Sequence, residues 1–457
     1  MTVQSYRVDL LLEEPATLGI ESETAFRRDV YRYVPGIVLR GALAAVWIGR
    51  HGLPTGRSGD RFRELFEVGL RPGPLLPKDG YLRPLSVTGC KRPPDERHAQ
   101  ASLRDQAFEG DQLACPVPGC GGPVEAGRGE VEFPPGASLL MTLTHVAHEP
   151  DGVAANGGLH ARRYLRPGTR LTGRLSAPAD DFLDGFAAGG DIWLGGRRTV
   201  AGRATLTLTP ESPVPAADLA AGEQVALRLE SPGVFVDDAG RPTSNPVPDL
   251  SAALGVAVEQ VEVERRWWRP VAVRGWHAAT GLPKPTDHAV AAGSTWLLRL
   301  LEPVAGDRLA ALAVHGLGLR RTEGFGQAVL ARESWRRPAP PAPPRPTPDQ
   351  AVEQAQRLWR SVAGSKPARR ALADHLRELS GAPPGEWPGR SEAWRQTPGG
   401  ASAGRTGIAP ALAALTATGD AGLVQDVRLV LVAAGDSPPP RWLVQALALE
   451  PGREERA

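Results

Sequence analysis

The sequence predicts the α+β class: two tandem βαββαβ units, an insertion in the first of them, and a helical C-terminal domain. Three observations lead there. Leu194-Gly195-Gly196-Arg197-Arg198-Thr199 recurs as Leu317-Gly318-Leu319-Arg320-Arg321-Thr322, and each copy is followed by further glycine (Gly202; Gly324 and Gly326) and a strand-like apolar run. Upstream of the two copies, Gly168 with Arg174-Leu175 matches Gly293 with Arg299-Leu300. The third observation is compositional. Fifty-three glycines and 45 prolines in 457 residues, without a collagen-like period, suit many short strands and turns better than a helical bundle.

The first unit, 1–212, opens on an alternating run that ends Leu12-Glu13-Glu14-Pro15 and reads as a strand over 5–13. An apolar stretch behind a Pro-Gly turn predicts a helix over 37–48. Strands follow over 130–147 and 163–175, then a helix over 180–188 and a strand over 203–209. Residues 69–128 fall between the first helix and the second strand and are read as the insertion. The second unit, 220–335, opens in the same way on a run ending Leu229-Glu230-Ser231-Pro232. Its expected elements are a strand over 223–236, a helix over 248–256, strands over 259–274 and 294–301, a helix over 306–315 and a strand over 326–332. Strand, helix, strand, strand, helix, strand is the ferredoxin-like (RRM-like) order, two right-handed βαβ halves sharing one antiparallel sheet. The run Arg336 to Pro348 is a stiff polyproline-type linker over 336–348. Beyond it, Val352, Ala355, Leu358, Leu372, Leu376 and Leu379 recur at helical spacing, so 349–457 is expected to be a small helical domain.

Charge limits the function classes. With 53 basic and 51 acidic side chains the net charge is +2, so any nucleic-acid surface must come from local clustering. All the basic residues but Lys78, Lys91, Lys284 and Lys366 are arginine, which suits bidentate phosphate contacts. No apolar run approaches the ~18 residues of a membrane helix, and the opening residues do not read as a signal peptide. A cytoplasmic protein without a membrane partner is the expectation. No Walker loop, nucleophile elbow or dinucleotide fingerprint occurs.

The segment Tyr33-Val34-Pro35-Gly36-Ile37-Val38-Leu39-Arg40-Gly41 carries a Pro-Gly turn into a helix. Free amides at a helix N-terminus, with Arg27, Arg28, Arg32 and Arg40 nearby, can form a backbone-phosphate site; the same residues also suit a turn with a solvated basic face. The motif, together with the glycine-rich loops Gly195–Gly202 and Gly318–Gly326, resembles the RAMP superfamily, RNA-binding proteins of CRISPR effector complexes. Leu159 to Thr169, Gly275-Trp276-His277 through Gly281-Leu282-Pro283-Lys284, and Ala292-Gly293-Ser294 make the chain most similar to the double-RAMP subunit of type III-D complexes, over about residues 5–332. The resemblance implies that glycine-rich loops and arginines hold guide (CRISPR) RNA, commonly its 5′ repeat-derived tag. On this chain those residues are Arg27, Arg28, Arg32, Gly36, Arg40, Arg163, Arg197, Arg198, Arg320, Arg321, Gly324 and Gly326. Other RAMP subunits and the large polymerase-like subunit are the implied partners, with target RNA met indirectly. Trp267, Trp268 and Trp276, set among Arg265, Arg266, Arg269 and Arg274, are candidates for base stacking or equally for sheet core.

All three cysteines lie in the insertion, in the order Cys90-x7-His98-x16-Cys115-x4-Cys120. Three thiolates and an imidazole would complete a tetrahedral structural zinc site, the alternative being unligated thiols. An odd cysteine count argues against a pure disulfide framework.

No catalytic residue is assigned. Among relatives of the resembled family, some cleave target RNA with an aspartate in the loop after the first strand, where this chain has Glu21, Glu23 and Asp29; a salt-bridged Asp29 is the reading preferred. Others mature guide RNA by histidine acid–base chemistry, for which His145, His148, His160, His277 and His288 are available. A metal-independent endoribonuclease is therefore the alternative to a non-catalytic RNA-binding subunit.

Overall fold

The computed structural model describes residues 3–19, 27–28, 30–78, 80–133, 139–148, 154–195, 201–212, 215–277, 280–338, 366–383 and 386–395, with Leu412, Val424, Val427 and Arg428. The chain divides into two compact units, Met1–Pro340 and Pro341–Ala457. The larger unit is a mixed α/β structure with many antiparallel sheets.

Strand β1 (Val3–Leu12) buries every second side chain, Tyr6, Val8, Leu10 and Leu12, as a sheet with one face on the core requires. It lies between two antiparallel partners, Arg170–Pro178 (Leu10 opposite Leu171) and Arg203–Glu211 (Val8 opposite Leu208). Helix α1 (Gly36–His51) covers the buried face with Leu39, Leu43 and Trp47, spaced at i, i+4 and i+8. Gly190–Trp193 extends one edge of the sheet.

The opposite edge departs from expectation. The expected strand over 130–147 is not there: Leu140–His148 pairs instead with Ala154–Leu165 in a separate hairpin, which Arg27–Arg28 joins in parallel. The place beside Arg170–Pro178 is taken by two two-residue strands, Arg71–Pro72 and Leu76–Pro77, so the insertion begins later than residue 69. Proline lacks a ladder N–H and is confined to sheet edges, which keeps these strands short and leaves no period-2 pattern to read. The expected helix over 180–188 is a single turn, Asp181–Asp184, capped by the Asp180 carboxylate accepting from the Phe182 amide.

The second sheet runs in the order Val261–Trp267, Thr295–Leu300, Glu223–Leu229, Ala328–Ala331, all neighbours antiparallel. Helices Val247–Leu254 and Gly306–His315 supply Leu250, Leu254 and Leu312 against Val225, Leu227, Leu298 and Leu300. The expected strand over 259–274 breaks at Trp268. Its second part, Pro270–Val273, pairs with Asp287–Val290 and then, through Trp276–His277 with Leu282–Pro283, forms a hairpin beyond the sheet.

The face of this sheet turned away from the helices is not open. Ala226 and Leu297 there pack on Ala107 and Phe108 of the insertion. At its centre Asp105, wholly buried, accepts from Arg228 (2.5 Å), Ser86 Oγ (2.7 Å) and the backbone amides of Ala107 (3.1 Å) and Trp335 (2.9 Å). Every acceptor position of the carboxylate is used, which is what makes a buried charge tolerable.

In the smaller unit the described helices are Lys366–Ser380 and Trp387–Arg395. His375 is buried, stacks on Trp394 with ring centroids 4.5 Å apart, and is held at about pKa 4 by desolvation. A histidine kept neutral in the fold binds fewer protons than in the unfolded chain. Stability is therefore present above about pH 6.5 and lost as pH falls towards 4, by roughly 2–3 kcal/mol for this group. Thermal melting of His375→Gln should be flatter than the parent's between pH 7 and 4.

Candidate metal centre and nucleic-acid interface

The four predicted metal ligands converge. Cys90 ends the strand Val87–Cys90, His98 sits in the short helix Glu96–Ala101 capped by Asp95, and Cys115 and Cys120 flank a turn in which the Cys120 amide donates to the Val117 carbonyl. The ligand atoms all lie within 4.8 Å of one another, with Cys90 Sγ 3.9 Å from Cys120 Sγ and Cys115 Sγ 3.3 Å from His98 Nε2. Bonds of about 2.3 Å at tetrahedral angles put two thiolates roughly 3.8 Å apart, so the sulfur spacing fits a shared ion. It is far too long for the ~2.05 Å of a disulfide. The Gly122 backbone amide holds the Cys120 thiol below its usual range, and burial pushes the Cys115 thiol up. The Cys3His group could bind a metal; its donors are those of a closed structural site, with no open position for substrate.

The glycine motifs converge as well, but on each other. Gly36, the first residue of α1, and Gly324 are both buried, and a Cβ added to Gly36 would stand 2.8 Å from the Gly324 Cα and strike the Pro72 carbonyl oxygen. Glycine at these positions lets the two halves of the larger unit close main chain to main chain. Gly324 (φ +87°) and Gly326 (φ +73°) also hold left-handed conformations, and a Cβ on Gly326 would strike the Leu317 carbonyl. Substituting Gly36→Ala tests the seam. Position 36 is helical, so alanine alone would stabilise by ~1 kcal/mol. Overpacking costs about 1–3 kcal/mol, and a net fall in melting temperature is the expected result.

Arg320 turns inward. It pairs with Asp287 (2.5 Å) and Glu323 (2.9 Å), covers the Phe325 ring at 4.8 Å, and is a non-glycine residue at φ +56°. Lys284 reinforces Glu323 at 2.8 Å. Arg40 donates to the Phe66 carbonyl (3.0 Å). Arg32 is exposed, and Arg163 and Arg321 are half-buried. Arg27 and Arg28 are described only as strand backbone, and Arg197, Arg198 and Asp29 lie outside the described residues.

The tryptophans divide. Trp267 is half-buried, donates to Gln106 Oε1 (3.1 Å) and lies under the Arg265 guanidinium, so it belongs to the seam with the insertion. Trp268 and Trp276 are exposed, the latter by 62%, on the hairpin beyond the sheet. His145 Nε2 lies 3.0 Å from the Tyr164 hydroxyl across the hairpin, and the backbone of His160 is opposite His145. His277 and His288 are exposed. Sequence reasoning missed Arg71, and also Asp105 and Arg228, single polar residues in apolar surroundings whose partners are remote in sequence.

Residues 144–333 match the family described as "CRISPR-associated protein (Cas_Cmr3)". No curated protein matches. Among solved structures, a chain of the cryo-EM structure of the Type III-B Cmr-beta bound to cognate target RNA is 12% identical with a TM-score of 0.36, covering 64% of this chain and 86% of that one. A Cas6 product complex is 16% identical (TM-score 0.23, covering 36% and 80%), and a CRISPR associated protein Cas6 is 10% identical (TM-score 0.29, covering 72% and 99%). These likenesses are too distant to carry an argument. Among the described residues no helix is long and apolar enough to cross a membrane.

Proposed function

We propose that the chain is a non-catalytic, guide-RNA-binding structural subunit of a type III-D-like CRISPR effector complex. In this role it holds the 5′ repeat-derived tag and contacts neighbouring RAMP subunits and the large polymerase-like subunit in the cytoplasm. The observation that carries the reading is the family match over 144–333, the part of the chain that contains the hairpin with exposed Trp268 and Trp276 and the loop with Arg321. Single-stranded RNA favours such a surface, with aromatic faces for bases and guanidinium groups for phosphates. The two tandem ferredoxin-like domains are supported by the sheets: in each, the first strand lies between the third and fourth, and the remaining edge belongs to the segment that follows the first helix. Zinc is the proposed metal, because three thiols and an imidazole whose ligand atoms lie within 4.8 Å of one another suit a borderline-soft ion.

Binding of labelled repeat RNA to the full chain tests the reading. Submicromolar affinity that falls with salt as several phosphate contacts require, without cleavage, is expected. Affinity indifferent to salt and to RNA length would defeat it. The endoribonuclease reading is favoured by the His145–Tyr164 pair, which places an imidazole and a phenol together on one hairpin. It requires metal-independent cleavage that His145→Ala abolishes.

A further inference from the structure

We propose that Arg71, Arg321 and His315 form one composite phosphate site across the seam, taking a single phosphodiester of single-stranded RNA. The inference rests on the RNA-binding reading and deepens it. The three residues come from distant parts of the chain. Arg71 lies in the edge strand Arg71–Pro72 of the first sheet, His315 ends the helix Gly306–His315, and Arg321 opens the turn Arg321–Glu323. The turn packs directly on the edge strand and on the start of α1, where Gly324, Gly36 and the Pro72 carbonyl are in contact.

The cluster is short of negative charge. Arg320, beside it in sequence, is neutralised by Asp287 and Glu323, whereas Arg321 makes no ion pair within 4 Å among the described residues. Arg71 gives one terminal nitrogen to the carbonyls of Val68 (2.6 Å) and Leu70 (2.9 Å), and its buried Nε has no hydrogen-bond partner. Burial lowers the pKa of Arg71 and of His315, and the neighbouring guanidinium groups lower both further, Arg321 acting on Arg71 and both arginines on His315. Burial raises the pKa of Asp249, while Arg321 and the Gly318 backbone oppose that rise.

With His315 neutral, the cluster carries two guanidinium charges, of which Arg321 acts on the Asp249 carboxylate. A phosphodiester, carrying one negative charge, offsets the excess positive charge of the pair. All three side chains are half-buried, so the site is reachable from solvent and yet dry enough for an unmatched charge to matter. Glycine at 36 and 324 then has a consequence beyond packing, since it lets the turn that carries Arg321 pack on the strand that carries Arg71.

The test is binding of a labelled single-stranded RNA to the full chain and to Arg71→Gln, Arg321→Gln and His315→Gln, titrated across salt. Inorganic phosphate serves as a second probe, with the His315 imidazole read by NMR. Each arginine variant is expected to weaken RNA binding about tenfold and to reduce the salt slope by roughly 0.7, the value for one contact on a single strand. Bound anion is expected to raise the His315 pKa. If the parent binds RNA and Arg321→Gln, which breaks no ion pair, matches it in affinity and slope, the site is refuted while the RNA-binding reading stands. If inorganic phosphate shifts His315 but RNA does not bind, the anion belongs to a small phosphate ligand, and both the reading and this assignment of the occupant fall. If neither probe moves His315, there is no anion site.

Discussion

Chelating the metal proposed at Cys90, His98, Cys115 and Cys120 is expected to unfold residues 85–126 and leave the first sheet intact. The segment 85–126 has little apolar content of its own among the described residues: Leu85, Val87 and Ala107 are buried, while Leu113 is 92% exposed. Its strands are two to four residues long, Val87–Cys90 with Arg104–Asp105 and Val124–Ala126, too few to stand without a crosslink. Structural zinc supplies about 10–16 kcal/mol in small domains that fold around it, far more than such a core could replace. Hydrogen exchange should accordingly rise throughout 85–126 on chelation, with Trp267 becoming more solvent-exposed as Phe108 and Gln106 leave it. Cys115→Ser should reproduce the change. Less than about half an equivalent of zinc in the purified chain, unaltered by Cys115→Ser, would defeat the metal assignment.

Asp105→Ala is expected to cost about 3–5 kcal/mol, because it strands Arg228 as an uncompensated buried charge. The loss has a spatial signature. Asp105 ties the insertion to the second sheet through Arg228 and to the chain beyond that sheet through the Trp335 amide, and two further pairs, Arg336–Glu109 (3.0 Å) and Arg337–Glu96, follow the same path. Equilibrium unfolding should show the insertion and residues 333–338 separating from the second sheet before the rest unfolds. Replacing both partners, Asp105→Leu with Arg228→Met, should restore much of the stability, since no charge is then left buried. If the single and double variants are equally unstable, the cost lies in packing and the ion pair is incidental.

This docking bears on how RNA could be read. In RRM-like domains the sheet face away from the helices is the one that stacks bases. Here Ala226, Arg228 and Leu297 on that face of the second sheet are covered by the insertion. Among the described residues, the surfaces proposed here for RNA, the hairpin with Trp268 and Trp276 and the seam beside Arg321, lie away from that covered face.

Most of the second unit was legible because its strands and helices are long enough to show their period: Gly306–His315 is the helix read from the sequence, and Thr295–Leu300 differs by one residue at each end. The first unit was read less well where Pro72, Pro74 and Pro77 break an edge strand into two-residue pieces, and where the apolar alternation of Leu140–His148 belongs to a hairpin outside the first sheet. Alternation reports that a strand has two unlike faces, and it is silent about which strand lies alongside.

Local chemistry and repetition were therefore enough to single out the Cys3His group that the fold brings together, the repeated glycine-arginine loops and the order of elements in the second unit. These depend on residue type and short-range spacing. Only the tertiary structure decided that Gly36 meets Gly324, that among the described residues Arg320 is neutralised while Arg321 is not, and that Asp105 closes the second sheet through Arg228. Each of those depends on a partner far away in sequence, and a charged residue carries the same letter whether its partner is an opposite charge, a like charge or water.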